Sequence, residues 1–340
     1  MSLAVDGAMQ SMSFADQAVT LRYHQGMLAD ANRVDRYREA IHEVVEPGDV
    51  VVDLGAGTGL LSYFACQAGA ARVYAIDSGP VLRLAAELCR ANGFHDRVVL
   101  VAADSTEVTL SESADVLVSE VLWNFGLGEG VMNTLNDARE RFLRPGGRVV
   151  PTSFEMITAP IEMPDLHRRI ALDPPDRHGL DLSPLRAYGR SNVHNARLPA
   201  SALLGQPVAL ASFELDRPAS RDVAGSASLP IERAGTLHGL GGWFSARLSP
   251  SVVLGNPPDG ERSSWAQAFL PLEQAVDVEP GDRVEALIQT TGNGSVWRWK
   301  VAASGADGTP KLRSDQTTFF GFPPDLAPLS QRNQEEAGLR

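Results

Sequence analysis

From Ala29 to Val150 the chain alternates stretches of helical apolar spacing with short apolar runs, and from Pro151 onward brief β-type runs punctuated by proline and glycine take over. Helical periodicity over 29–45 stops at Pro47 and Gly48, and Val50 to Val52 then reads as a short buried strand. Further helices are predicted over 60–68, 81–92 and 132–142. Further strands are predicted over 71–76, 98–101, 114–118 and 148–150, the last after a turn at Arg144 to Gly147. Strand and helix in alternation predict a parallel sheet with helices on its faces, followed past residue 151 by a second domain of β structure.

Composition narrows the partners. At 340 residues and 44% hydrophobic content the chain can bury the cores of two domains. Thirty basic against 42 acidic side chains give a net charge of -12, which argues against nucleic acid and favours a cationic substrate. Cys66 and Cys89 fall in helical patterns with neither disulfide nor metal spacing, so a reduced, cytoplasmic protein is expected. The seven histidines are scattered without ligand spacing, no metal site is expected, and no apolar run is long enough to span a membrane.

Chemistry concentrates at the strand ends. The first strand runs into DLGAGTG at 53–59, where Asp53 precedes Gly55, Gly57 and Gly59. Glycines allow a tight turn and close ligand approach, and the following helix offers free N–H groups. The spacing is G-x-G-x-G rather than the G-x-G-x-x-G of dinucleotide sites, so the loop reads as a site for S-adenosylmethionine. Asp77 ends the second strand, placed to accept hydrogen bonds from ribose hydroxyls, a feature that by itself suits NAD equally. Asp104, Ser105 and Thr106 follow the third strand, where they would flank an adenine. The fourth strand delivers Glu120, and Glu129 follows nine positions later. Two carboxylates at the mouth of one sheet suit a planar cation such as a guanidinium. The plainer reading makes them solvated loop acids or backbone caps.

The segment from Val51 to Asp77 resembles the cofactor segment of the protein arginine methyltransferase family, and Ser119 to Glu129 resembles its double-glutamate loop. The match continues over Leu143 to Pro151. Met27 to Arg33 is similar to the family's N-terminal helix, and Ser263, Ser264 and Trp265 lie where the family carries Thr-His-Trp. The resemblance implies a Rossmann-like class I methyltransferase domain followed by a β-barrel domain with an arm-like insertion. The expected organisation is an N-terminal extension over 1–22, the cofactor domain with its leading helix over 23–150, the barrel over 151–325 and a flexible tail over 326–340. It further implies that Gly55 and Gly57 contact the methionine moiety of the cofactor, Asp77 holds the ribose and Arg33 pairs with the cofactor carboxylate. Glu120 and Glu129 would grip the acceptor guanidinium, with Met27 and Trp265 as substrate contacts. Residues 164–193 resemble the family's dimerisation arm, so a homodimer is expected.

Departures from the family pattern bear on the acceptor. Its Tyr-Phe-x-x-Tyr motif would fall near Phe14 to Ala18, where both tyrosines are absent, and Ser264 replaces the histidine of Thr-His-Trp. The histidine contact that would join Asp30 to the barrel therefore cannot form. A site that keeps its glutamates but loses this frame points toward free arginine or another small guanidine or amine. A methyltransferase for another small amine or hydroxyl metabolite, and a cofactor-binding protein without catalysis, are the alternative readings.

Overall fold

Four buried positions in a row, Val51, Val52, Asp53 and Leu54, set the first strand, β1 (Val50–Leu54), in the middle of a parallel sheet. The computed structural model describes residues 14–319 apart from 127, 129, 172–175, 178, 219, 221, 262 and 292–294. The expected tail over 326–340 and the first 13 residues lie outside them. What the sequence marks as an extension is helical from Phe14: α1 (Phe14–Leu28) precedes α2 (Ala31–Val44). The buried face of α2 is Tyr37, Ala40, Ile41 and Val44, an i, i+3, i+4, i+7 stripe.

Then follow α3 (Leu60–Ala68), β2 (Arg72–Asp77), α4 (Leu82–Ala91), β3 (Val98–Ala102), β4 (Ala114–Ser119), α5 (Val131–Phe142) and β5 (Leu143–Val150). The five strands lie in the order β3-β2-β1-β4-β5, all parallel. Burial of the valines and leucines of β1 and β4, each contributing about 1.5–3 kcal/mol, holds the sheet between its helices.

The second domain begins at the cis peptide Val150–Pro151. It is built of two antiparallel sheets. One has the order β10-β6-β12-β14-β9, with β6 (Ser153–Ile161), β9 (His194–Ala196), β10 (Val208–Glu214), β12 (Gly235–Arg247) and β14 (Gln267–Val278), and β13 (Val253–Gly255) beside β12. The other has β11 (Val223–Pro230), β15 (Arg283–Thr291), β16 (Val296–Ser304) and β17 (Pro310–Thr317) in the order β11-β15-β16-β17. Between β6 and β9 the chain leaves the sheets to form α6 (Pro164–Ile170), the short pair β7 (Asp176–Arg177) and β8 (Leu180–Asp181), and α7 (Pro184–Arg190). This stretch lies where the arm-like insertion is expected, and it carries two short helices.

The two domains share a core. Ser249 and Ser251 hydroxyls donate to the Glu43 carboxylate at the end of α2, the latter at 2.6 Å. Arg148 donates to Val44 O (2.6 Å) and Asp49 (2.7 Å), fixing α2 against the edge of the parallel sheet.

Candidate active site

In the order β3-β2-β1-β4-β5 the chain direction of sheet growth reverses between β1 and β4, and the carboxyl ends of such neighbours leave a crevice open to a ligand. The register sets Leu54 beside Ser119, whose hydroxyl donates to Leu54 O at 2.9 Å. Gly55 and Glu120, the next residues, therefore begin two loops side by side.

The first loop turns back over β2, with the Gly55 and Ala56 N–H groups donating to Ile76 O at 2.9 and 3.1 Å. Gly55 (φ 74°) and Gly57 (φ 55°) occupy the left-handed region. A Cβ on Gly55 would meet Val121 Cγ1 at 3.1 Å, and one on Gly57 would meet the His24 ring at 3.3 Å. Asp77 accepts from Gly57 N–H (2.8 Å) and Gly79 N–H (2.6 Å), so it braces the loop while lining the cavity. Both glycines, Asp77, His24, Glu120 and Trp265 line one continuous cavity of about 830 Å³.

Beneath the loop Asp53 is 1% exposed. Its Oδ2 accepts from the N–H and hydroxyl of Ser62 (2.9 and 2.7 Å), whereas Oδ1 is buried with no partner among the described residues. Burial pushes this carboxyl up to about 6, against the pull of the Ser62 bonds. An orphaned carboxylate oxygen below a glycine turn is an acceptor suited to the ammonium of an amino acid moiety, and the cavity lined by Gly55, Gly57 and Asp77 leaves room for a nucleoside-bearing ligand. The residues present thus suit S-adenosylmethionine.

At the other end, the Arg33 guanidinium is in direct contact with the Glu120 carboxylate, Nη2 to Oε2, both side chains being about nine-tenths buried. The same guanidinium lies over the Trp265 ring, 4.7 Å from its centroid, with Nη1 3.5 Å from Ser264 Oγ. Arg33 sits in the first turn of α2, where Asp30 is the N-cap and accepts from Arg33 N–H at 3.1 Å. The other oxygen of Asp30 accepts from Ser263 Oγ (3.0 Å) and Ser264 N–H (2.6 Å). Burial raises the Asp30 carboxyl, but these bonds outweigh it and hold it below its ordinary value. The histidine contact is replaced, and Asp30 is still joined to the barrel by other groups. A hydroxyl and a backbone N–H make the join that the missing histidine cannot, because neither needs an imidazole's reach.

The glutamate loop is held from the barrel side. Trp265 Nε1 donates to Leu122 O (3.0 Å), Asn256 Nδ2 donates to Asn124 O (2.8 Å), and Ala266 N–H donates to Asn124 Oδ1 (3.1 Å). Phe125 is fully buried and stacks on Trp297 at 5.6 Å. From α2, the Tyr37 hydroxyl donates to Ser119 O at 3.2 Å, immediately before Glu120.

Of the residues singled out from sequence, Met27, Arg33, Gly55, Gly57, Asp77, Glu120 and Trp265 line the cavity. Asp53 lies under it, and Gly59 is the N-cap of α3, outside the lining. Asp104, Ser105 and Thr106 are also outside it. Asp104 accepts from Thr106 N–H (2.9 Å) and Oγ1 (2.6 Å), and Ser105 O accepts from Arg141 (2.6 Å), so this stretch closes a turn of its own. Glu129 falls outside the described residues, although its neighbour Gly128 lines the cavity. Sequence reasoning missed His24, which burial keeps below its ordinary pKa and which precedes Met27 by one helical step of three, a spacing that places both on one face. It also missed Trp123, Ser295 and Trp297 on the wall opposite, which no local pattern marks.

Comparison with known proteins agrees with this geometry. Residues 38–152 match the family model described as ribosomal protein L11 methyltransferase (PrmA), and residues 153–299 match the arginine methyltransferase oligomerization subdomain. The chain is 30% identical to protein arginine N-methyltransferase 6 of Xenopus laevis over 270 residues, covering 75% of this chain and 79% of that one. It is 29% identical to the arginine N(omega)-methyltransferase of Streptomyces achromogenes subsp. streptozoticus over 271 residues, 77% of this chain and 74% of the other. Among solved structures, a chain of the Trypanosoma brucei PRMT1 enzyme-prozyme heterotetrameric complex with AdoHcy shares the fold at a TM-score of 0.80 and 24% identity, covering 87% of this chain and 98% of that one.

Proposed function

The chain belongs to the protein arginine N-methyltransferase family, and from that premise we propose that its acceptor is a small guanidine, free arginine before any other, methylated on a guanidino nitrogen. It is an S-adenosylmethionine-dependent methyltransferase. The observation that carries the choice of a guanidine is the lodging of Arg33 between Glu120 and Trp265: a carboxylate edge and an indole face hold a planar cation as an acceptor would be held.

S-adenosylmethionine supplies a methyl group on a positively charged sulfur. Arg33 would hold its carboxylate, Asp53 its ammonium and Asp77 its ribose, with Gly55 and Gly57 leaving room for the chain between. An arginine guanidinium is protonated at any relevant pH, so its nitrogens are poor nucleophiles. Glu120 fixes the plane and draws positive charge toward the nitrogens it touches, leaving electron density on the nitrogen that attacks. The same carboxylate is proposed to accept the proton released by the methylated guanidinium. Glu129, the second carboxylate of the loop, is proposed for the same grip on the strength of its spacing.

A small acceptor is supported by what this chain lacks and by one relative. The tyrosine pair and the loop histidine that resembled enzymes carry are replaced, and the Streptomyces relative is named for arginine without mention of protein. Competing free arginine against an arginine-rich peptide at equal concentration with labelled cofactor tests this. Label in free arginine supports the reading, and label only in the peptide overturns the choice of a small acceptor while leaving guanidino chemistry in place.

We further propose a cytoplasmic homodimer that assembles through residues 164–193. Leu180, Leu185 and Tyr188 of this arm are exposed at 62%, 46% and 46%, an apolar face suited to a second copy. Cys66 and Cys89 are both free and buried, as a reducing compartment favours. Among the described residues no helix is long and apolar enough to cross a membrane, and no His, Cys, Asp and Glu cluster could hold a metal.

A further inference from the structure

The acceptor place against Glu120 is filled by a side chain of the protein itself. Arg33, assigned above to the cofactor, touches the carboxylate assigned above to the acceptor, and it lies over the indole that would lie under the acceptor. We propose that Arg33 is a two-position residue: in the free protein it occupies the acceptor's guanidinium place, and the cofactor's carboxylate draws it off Glu120, so that cofactor and acceptor each favour the other's binding. The inference rests on the guanidine reading of the site.

Geometry permits the exchange without moving the backbone. Arg33 N–H is fixed to Asp30 Oδ1 at 3.1 Å, and Asp30 is itself tied to Ser263 and Ser264 of the barrel, so the first turn of α2 stays put. The arginine stem beyond it has four rotatable bonds. One cavity contains Arg33, Glu120, Gly55 and Asp77, so the space beside the guanidinium is continuous with the glycine-loop end. Its bond to Ser264 Oγ is long, 3.5 Å, and the stacking on Trp265 is tolerant of rotation, so neither locks it in place.

Burial supplies the coupling. Arg33 and Glu120 are 12% and 10% exposed, and taking one partner away from a buried ion pair leaves the other charge uncompensated. An acceptor arriving alone would have to displace Arg33 with nothing to receive it. A cofactor arriving alone would strip Glu120 of its counter-ion. Together they exchange one ion pair for two, Arg33 with the cofactor carboxylate and Glu120 with the acceptor guanidinium, and no buried charge is left unpaired. Coupling of this kind is reciprocal and commonly changes affinity roughly 5- to 150-fold.

A double-mutant cycle on S-adenosylhomocysteine binding, with no acceptor present, tests the exchange. Calorimetry compares the wild type, Glu120→Gln, Arg33→Met and the double variant. Glu120→Gln should tighten binding in the Arg33 background by roughly 5- to 150-fold, because Arg33 no longer has to be withdrawn, and should change it less than about twofold in the Arg33→Met background. If Arg33→Met does not fold, Arg33→Gln completes the same cycle. An unchanged affinity on Glu120→Gln overturns the proposal, and so does an equal effect in both backgrounds, which would reduce Glu120 to a through-space charge. Because the cycle contains no acceptor, its result is independent of the competition experiment that decides whether free arginine is the substrate.

Discussion

Ser119 donates its hydroxyl to the carbonyl of Leu54 across the join of β1 and β4, a 2.9 Å bond between residues that the parallel register sets side by side. Gly55 and Glu120 follow these two residues, so this single contact brings the glycine turn and the start of the glutamate loop to one point. Glu120→Gln keeps the shape and removes the charge. Turnover should fall at least about 100-fold, as when one charge-stabilising group is removed from other active sites, and the melting temperature should fall as well, because the buried Arg33 loses its counter-ion. Steady-state rates with circular dichroism melting check this, and turnover within about threefold of wild type would remove Glu120 from the chemistry.

Asp53 sets stability against binding. Its carboxyl is raised from 3.8 to about 6 by burial, a difference worth about 3 kcal/mol between charged and neutral forms. Because the folded value is the higher one, its stabilising contribution is present below pH 4 and lost as pH rises through about 6. Asp53→Asn should therefore raise the melting temperature at pH 7.5 and barely change it near pH 4. The same variant should weaken S-adenosylmethionine binding, since the orphaned oxygen loses its charge. An equal gain at both pH values would contradict the buried-charge account.

The two serines that replace the expected histidine contact should behave differently. Ser264 keeps its backbone N–H bond to Asp30 when its hydroxyl is removed, so Ser264→Ala should cost less than about 1 kcal/mol. Ser263 donates its hydroxyl to Asp30 and accepts from Trp265 N–H at 3.2 Å, and Ser263→Ala leaves both groups short of a partner, which should cost about 1–3 kcal/mol. Urea unfolding of the two variants checks the order, and a larger loss for Ser264→Ala would reverse it.

Trp265→Phe removes the Nε1 bond to Leu122 O and keeps an aromatic face. The glutamate loop should loosen, lowering kcat, while S-adenosylhomocysteine affinity measured by calorimetry stays within about threefold. A matched fall in both would show that the indole supports the cofactor end instead.

Replacing Leu180, Leu185 and Tyr188 together by serine should convert the dimer to monomers in sedimentation velocity, with the fold intact by circular dichroism. A wild-type protein that sediments as a monomer at micromolar concentration would discard the arm interface.

What the sequence makes legible is local. Val50 to Leu54, the glycine turn, Asp77 and Glu120 follow one another at strand ends, and apolar runs with glycine breaks reveal such an order directly. Distant pairings leave no such trace. Asp30 and Ser263 are 233 positions apart, and Arg33 meets Ser264 across 231, so nothing in the residues near Ser264 shows that it serves Asp30 by its backbone. Trp123 and Trp297 stand 6.0 Å apart only because β16 returns to the glutamate loop. Asp104 to Thr106 show another limit: their position after β3 is visible in the sequence, but not that Asp104 closes a turn with Thr106. The arm helices were hidden for a similar reason, since α6 and α7 each begin at a proline and run for 7 residues, too short to establish a period.

The central claim is methyl transfer to a guanidino nitrogen, and locating the transferred group tests it most directly. The protein is incubated with S-adenosylmethionine carrying a ¹³C-labelled methyl group and with free arginine and an arginine-rich peptide together, and the products are fragmented by mass spectrometry. Label is expected on a terminal guanidino nitrogen, and absent with Glu120→Gln. Label on an α-amine or a hydroxyl, or a guanidino product formed as fast without Glu120, would contradict it.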